Sequence, residues 1–210
     1  SLPARCWRSS RSAPPPSSGG VVVCEILNVL EGYPLKEMGF RSAQAVHVQI
    51  EAMRHAYVDR NSYLGDPDFV TNPIERLLDK GYAAQLRAAI DPARVGVSRD
   101  LKPGVAPHEG TNTTHYSIVD AEGNAASITT TLNNSYGSAV TVTGAGFLLN
   151  DEMDDLASAP GRPNMYGLVQ GEANAIAPRK RMLSAMTPSI VLDRQGELLL
   201  VVGTPGGPTI

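Results

Sequence analysis

The sequence predicts an α+β protein in which helices pack on a mainly antiparallel sheet. Three observations carry this. Apolar residues recur at three- and four-residue spacing as far as Ile90, a polar stretch rich in Pro and Gly runs from Ser98 to Asn112, and β-branched residues with hairpin turns dominate beyond it. Eight of the twelve threonines fall between Thr111 and Thr143, which places the change of texture at that break. A chain of 210 residues, 42% hydrophobic and 19% charged, is long enough for one sizeable core and reads as one domain or at most two. This composition excludes disorder, collagen and coiled coil. A formal net charge of −3 supplies no basic field for nucleic acid or an anionic membrane surface.

The elements follow in order. After the run Pro14-Pro15-Pro16-Ser17-Ser18-Gly19-Gly20, the spacing of Val22, Val23, Ile26, Leu27 and Leu30 predicts a short helix stopped by Gly32, with Cys24 packed beside the core. A second helix starts near Ser42, with Val46, Ile50, Met53 and Tyr57 as its apolar stripe and Gln49, Glu51, Arg54 and Asp59 opposite, and it ends before Gly65-Asp66-Pro67. Two shorter helices follow, one from Pro73 at an N1-like position through Leu78, the other through Leu86 and Ile90. Ser98 to Asn112 is a loop or a linker. Thr113 to Asp120 and Asn124 to Leu132 form a hairpin closed by Ala121-Glu122-Gly123. Ser189 to Leu192 and Leu198 to Val202 form a second, whose near-continuous apolar content implies burial on both faces. The intervening Ser158 to Arg181 is a loop of a length that is usually functional.

Several chemistries are weak here. His47 and His55 share a helix but stand two turns apart, and read as surface residues. Asp151-Glu152-Met153-Asp154-Asp155 lacks the alternating pattern of a calcium loop. Gly203 to Gly207 has no following Gly-Lys-Ser/Thr, so it is no phosphate loop, and G-x-S-x-G does not occur. Cys6 and Cys24 form no metal spacing and leave the redox compartment open. The apolar runs are too short for a membrane-spanning helix, and Ser1 to Gly20 lacks a signal-peptide apolar core.

The sharper feature is an ordered set of motifs: Thr113-Thr114-His115-Tyr116-Ser117, then Asp120-Ala121-Glu122-Gly123-Asn124, Thr129-Thr130-Thr131-Leu132-Asn133, Leu148-Leu149-Asn150-Asp151-Glu152-Met153-Asp154-Asp155, Pro163-Asn164-Met165-Tyr166-Gly167-Leu168, Pro178 to Pro188 and Thr204-Pro205-Gly206-Gly207-Pro208. From about Pro14 to Ile210 the chain resembles the γ-glutamyltranspeptidases, N-terminal-nucleophile hydrolases. Residues 1–13 match nothing in that pattern. The resemblance implies an αββα sandwich, incomplete in this chain, with 14–112 the C-terminal part of a large-subunit region and 113–210 the N-terminal part of a small-subunit region.

It further implies cleavage of the precursor between Asn112 and Thr113, leaving the two subunits as a heterodimer. Thr113 then carries both the attacking hydroxyl and a free α-amino group, with an ordinary pKa of roughly 7.7, to take its proton. His115 is then a structural or secondary contact. Thr131 matches the threonine that orients the nucleophile, and Gly206 and Gly207 match the oxyanion hole. Asn133, Glu152 and Asp155 match the groups that receive the donor's α-amino cation, and Ser184 matches one of two serines that hold its carboxylate. The second is Ala185 here, a loss on the order of 1 kcal/mol if nothing replaces its hydroxyl. Tyr166 belongs to a segment, Pro160 to Gly171, that resembles a lid over the donor.

The implied reaction passes a γ-glutamyl group from glutathione or a related donor to water or to an amino-acid or peptide acceptor, with no metal or organic cofactor. The implied location is periplasmic or extracellular. Family members are more than twice this long, so the chain alone is expected to be inactive. One rival is a cephalosporin- or glutaryl-acylase-like hydrolase, against which Asp155 argues, because a buried acid without a cation is costly. The other is a non-catalytic remnant.

Overall fold

The computed structural model of the chain describes residues 11–12, 18–97, 113–163 and 169–206. Its elements are β1 (Arg11–Ser12), α1 (Gly20–Leu30), α2 (Leu35–Met38), α3 (Ala43–Tyr63), α4 (Ile74–Leu77), α5 (Lys80–Ala89), β2 (Thr113–Val119), β3 (Ala125–Thr131), β4 (Ser189–Leu192) and β5 (Leu198–Val202). The mixed helix and strand content agrees with the α+β expectation. The stretch expected as a loop or linker, 98–112, lies outside the described residues. No described helix is long and apolar enough to cross a membrane.

Local chemistry explains the helix ends. Ser42 caps α3, its hydroxyl accepting the Ala45 N–H at 3.1 Å, and Asp79 caps α5 by accepting the Tyr82 N–H at 2.8 Å. Pro73 stands at the N-cap of α4, one position before the expected N1.

The buried face of α3 differs from the expected stripe. Val46, Ile50 and Met53 face out, whereas Ala45, Val48, Ala52 and Ala56 are buried together with Glu51, Asp59, Arg60 and Asn61. Small side chains let α3 approach α1 closely, and the polar residues on that face find partners inside. Both Glu51 oxygens accept from Arg54 Nη1 at 2.6 Å, and the Tyr82 hydroxyl donates to Asp59 at 2.6 Å. His47 and His55 are half-buried rather than on the surface, and His47 Nε2 donates to the Asp91 carbonyl at 2.8 Å.

The core has two clusters. One joins Val21, Val22, Ala56, Leu64 and Leu77 to Leu183 from the far half of the chain. The other joins Val29, Leu30, Val48, Ala52, Ala83 and Ile90. Full burial of a residue such as Leu183 contributes about 2 kcal/mol. Among the described residues the helices pack mainly on one another rather than on either sheet, a departure from the expected layering. The halves meet at Leu183, at Asp66, and through bonds from Arg60 to the Leu183 carbonyl and from the Gly171 N–H to the Asn61 carbonyl. Asp66, fully buried, accepts the Arg181 main-chain N–H at 2.7 Å and its guanidinium at 2.6 Å.

Glu25 lies at the centre of the helical half, fully buried, with neither oxygen hydrogen-bonded among the described residues. Burial, reinforced by the neighbouring Asp59 carboxyl, pushes it up to about 9 from its usual 4.5. A raised acid stabilises the fold fully below its unfolded pKa and progressively less as pH climbs toward the folded value. Glu25→Gln is therefore expected to match the parent at pH 4 and to exceed it at pH 7 by on the order of 2 kcal/mol in urea unfolding. A gap that shrinks as pH rises would contradict this.

Both hairpins form as expected. β2 pairs with β3 from Thr113↔Thr131 to Val119↔Ala125. β4 pairs with β5, with a register shift between Val191 and Leu192, and β1 adds to the other side of β4. The two turns repeat one device. Asp120 accepts from the main chain of Glu122 and Asn124 at 3.0 and 2.8 Å, Asp193 from that of Gln195 and Glu197 at 2.8 and 2.9 Å. A glycine follows each, Gly123 and Gly196, at positive φ. The expected burial of β5 on both faces is not met, for Leu199, Leu200 and Val202 are 67%, 49% and 41% exposed. Among the described residues no layer covers them.

Candidate functional site

Alternation along the first hairpin puts Thr113, His115 and Ser117 on one face of β2, opposite Thr131, Thr129 and Ser127 of β3. The result is a polar ladder. The Thr113 and Thr131 hydroxyls are 3.3 Å apart, His115 Nδ1 is 2.8 Å from the Thr129 hydroxyl and its Nε2 is 3.1 Å from that of Ser117. The far rung reaches the second sheet, the Ser127 hydroxyl donating to the Val202 carbonyl at 3.2 Å.

The loop after β5 is seated against this ladder. At Gly203 a β-carbon would come within 2.3 Å of the His115 ring, so a side chain there would have to push the imidazole out of its place on the ladder. His115 thereby spaces the loop carrying Gly206, whose φ is +141°, from the start of β2.

At the other end of β3, the Thr131 hydroxyl accepts the Asn133 N–H at 3.0 Å. Asn133 sits at φ +72°, a conformation asparagine tolerates better than most residues. Asn134 donates its main-chain N–H to Asp151 at 3.1 Å, and its amide also reaches that carboxylate. The Asp151 N–H returns to the Leu132 carbonyl at 3.2 Å. These bonds tie the short 3-10 turn Glu152–Asp155 to the end of β3, which lies beside Thr113.

Both candidate acids on that turn are perturbed. Burial, with repulsion from Asp155 and Asp151, pushes Glu152 up to about 7. Burial pushes Asp155 up to about 6 against the pull of the Arg60 cation, with Asp154 and Asp151 adding repulsion. Asp155 thus has the Arg60 cation acting on it without a donor, so its burial does not count against an acylase.

Ser184 is half-buried and its hydroxyl accepts the Met186 N–H at 3.1 Å. The residue before it, Leu183, is held at both main-chain polar groups. Its N–H donates to Asn174 Oδ1 at 3.0 Å and its carbonyl accepts from Arg60 Nη2 at 3.1 Å. Asn174 also donates to the Asp155 carbonyl at 2.7 Å and contacts Gln170.

Thr113, Thr131, Asn133, Glu152, Asp155, Ser184 and Gly206 thus lie on segments connected through hydrogen bonds and close packing. Asn112, Tyr166 and Gly207 lie outside the described residues. Sequence reasoning missed Arg60, Asp151 and Asn174. A signal existed for Arg60, a charged residue on the face that Ala52 and Ala56 define.

A family model described as gamma-glutamyltranspeptidase matches residues 9–210. The chain is 67% identical over 199 residues to a glutathione hydrolase proenzyme of Pseudomonas sp. (strain A14), covering 95% of this chain and 34% of that protein. It is 48% identical over 200 residues to a glutathione hydrolase proenzyme of Escherichia coli (strain K12), with the same two coverages of 95% and 34%. The chain spans about a third of the length of these curated relatives. Among solved structures, a cephalosporin acylase from Bacillus halodurans matches 89% of this chain and 31% of its own at a TM-score of 0.68 and 26% identity.

Proposed function

The chain belongs to the gamma-glutamyltranspeptidase family, and on that premise we propose that it carries the nucleophile and much of the donor site of a γ-glutamyl transferase and hydrolase acting on glutathione or a related γ-glutamyl compound. The observation that carries this reading is the pair of hydroxyls, Thr113 and Thr131, 3.3 Å apart on the opening rung of the hairpin.

Cleavage between Asn112 and Thr113 frees the Thr113 amine and leaves two subunits that stay together. The Thr113 hydroxyl attacks the γ-carbonyl of the donor while its proton passes to that amine. Thr131 orients the hydroxyl, and the N–H groups of Gly206 and Gly207 stabilise the oxyanion. Collapse expels the donor's amine, and water or an amino-acid or peptide acceptor then takes the acyl group. Asn133, Glu152 and Asp155 receive the α-amino cation, Ser184 the α-carboxylate, and Tyr166 covers them. No metal or organic cofactor enters this sequence. The complete protein is read as an αββα sandwich that works outside the cytoplasm. The 210-residue chain alone, with the apolar side chains of β5 uncovered, is expected to show no Thr113-dependent turnover.

A second reading, an acylase that takes a donor lacking the α-amino group, draws support from the acylase-like fold and from the Arg60 charge beside Asp155. The two separate in the full-length protein. A γ-glutamyl anilide is expected to turn over at least tenfold better than the glutaryl anilide, and the reverse order would favour the acylase. Because Glu152 and Asp155 must be ionised to receive a cation, and are raised to about 7 and about 6, KM for the γ-glutamyl anilide is expected to fall roughly tenfold between pH 5.5 and 8. KM for the glutaryl anilide should stay flat. Parallel profiles would remove the acids from the site.

A further inference from the structure

Within the γ-glutamyl reading, on which this inference rests, the donor is held by two groups of residues that come from different loops. Their separation has to match the distance between the donor's amino and carboxylate groups. Asn174 is the residue that spans them. Fully buried, it donates to the Asp155 carbonyl at 2.7 Å and accepts the Leu183 N–H at 3.0 Å, one residue before Ser184. Its own carbonyl accepts the Ala157 N–H at 2.9 Å, so it is fixed to the acidic turn on a second side. From the helical half, Arg60, 3% exposed, donates to the Leu183 carbonyl at 3.1 Å and to Asn61 at 3.0 Å. Leu183 cannot shift without breaking both bonds and leaving the first core cluster.

We propose that Asn174, supported by Arg60, is a positioning residue that sets the spacing between the Asp155 turn and Ser184, and through it the affinity for donors bearing both an α-amino and an α-carboxylate group. Neither side chain touches the donor. A displacement on the order of an ångström between two anchors weakens only a ligand that needs both at once.

The test is made in the full-length protein with Asn174→Ala and Arg60→Lys. The second variant keeps a cation near Asp155 and removes the Nη2 hydrogen bond to the Leu183 carbonyl. KM for the γ-glutamyl anilide is expected to rise about tenfold in Asn174→Ala and about threefold in Arg60→Lys, with kcat within threefold of the parent. The glutaryl anilide, which lacks one of the two anchored groups, is measured as substrate or as competitive inhibitor, and its constant should move less than twofold. Equal losses for both compounds, an unchanged KM, or a fall in kcat alone would overturn the proposal. Failure of both variants to self-cleave or fold would make the node purely structural, which also overturns it. A parent protein that prefers the glutaryl anilide would instead sink the γ-glutamyl reading, and that is visible before either variant is made.

Discussion

Thr113→Ala, made in the full-length protein, is expected to leave a single uncleaved polypeptide on a denaturing gel and to lower γ-glutamyl anilide turnover by roughly four orders of magnitude or more. The size follows from what the residue supplies. A hydroxyl at this position is the attacking atom, and after cleavage the amine on the same residue is its base, so one substitution removes the acyl-enzyme and the route by which the active chain end arises. Thr113→Ser retains the hydroxyl and the amine. It loses only the γ-methyl that restricts rotation about χ1, so it should still cleave and keep activity within about a hundredfold. The 3.3 Å contact to Thr131 makes the contrast informative, since either hydroxyl-bearing residue can still meet that partner. Normal cleavage in the alanine variant, or turnover within tenfold of the parent, would place the nucleophile elsewhere.

Asp66→Ala is expected to carry the largest stability loss, about 2–4 kcal/mol, or roughly 5–15 °C in melting temperature for a protein of this size class. Asp66 is fully buried and accepts from the Arg181 main chain, the Arg181 guanidinium and the Asp68 N–H. Those hydrogen bonds, the guanidinium first, hold its carboxyl down to about 2. A lowered acid contributes its full stabilisation above the ordinary value near 3.8 and loses it as pH falls toward 2. The gap between the parent and Asp66→Ala should therefore be constant from pH 5 upward and close below pH 4. Asp66→Asn keeps an acceptor for the main-chain donors and should lose less than the alanine. Equal urea midpoints for parent and alanine at pH 7 would show that the clamp adds nothing. Arg181 lies two residues before Leu183, so the same clamp holds the chain that leads into Ser184.

Much of this was legible in the residues. Ser42 announced a helix start because a short polar side chain can reach an N–H within the next turn, whereas the equivalent cap at Asp79 came from the structure. Ala121-Glu122-Gly123 announced the first hairpin turn, and the structure adds that Asp120 and Asp193 close both turns for the same local reason. The threonine-rich hairpin placed Thr113 opposite Thr131 because strand pairing with a short turn leaves little freedom of register. The inner face of α3 was not legible. Of its apolar stripe only Tyr57 packs on the core while Val46, Ile50 and Met53 face out, since the neighbour it packs against selected Ala45, Ala52 and Ala56 for close approach and found partners for Glu51, Asp59 and Arg60.

By itself the sequence determined the hairpins, the start of α3 at Ser42, the order of helices before strands and, through its motifs, the family. Each of these depends on residues a few positions apart or on a pattern read in order. Only the tertiary structure decided that Arg60 bears on Asp155, that Asn174 joins two loops, and that Asp66 grips Arg181. Such contacts link residues far apart along the chain, and their energies depend on burial. A guanidinium or a carboxylate taken from water must be paired, and no local pattern records which distant group will pair with it.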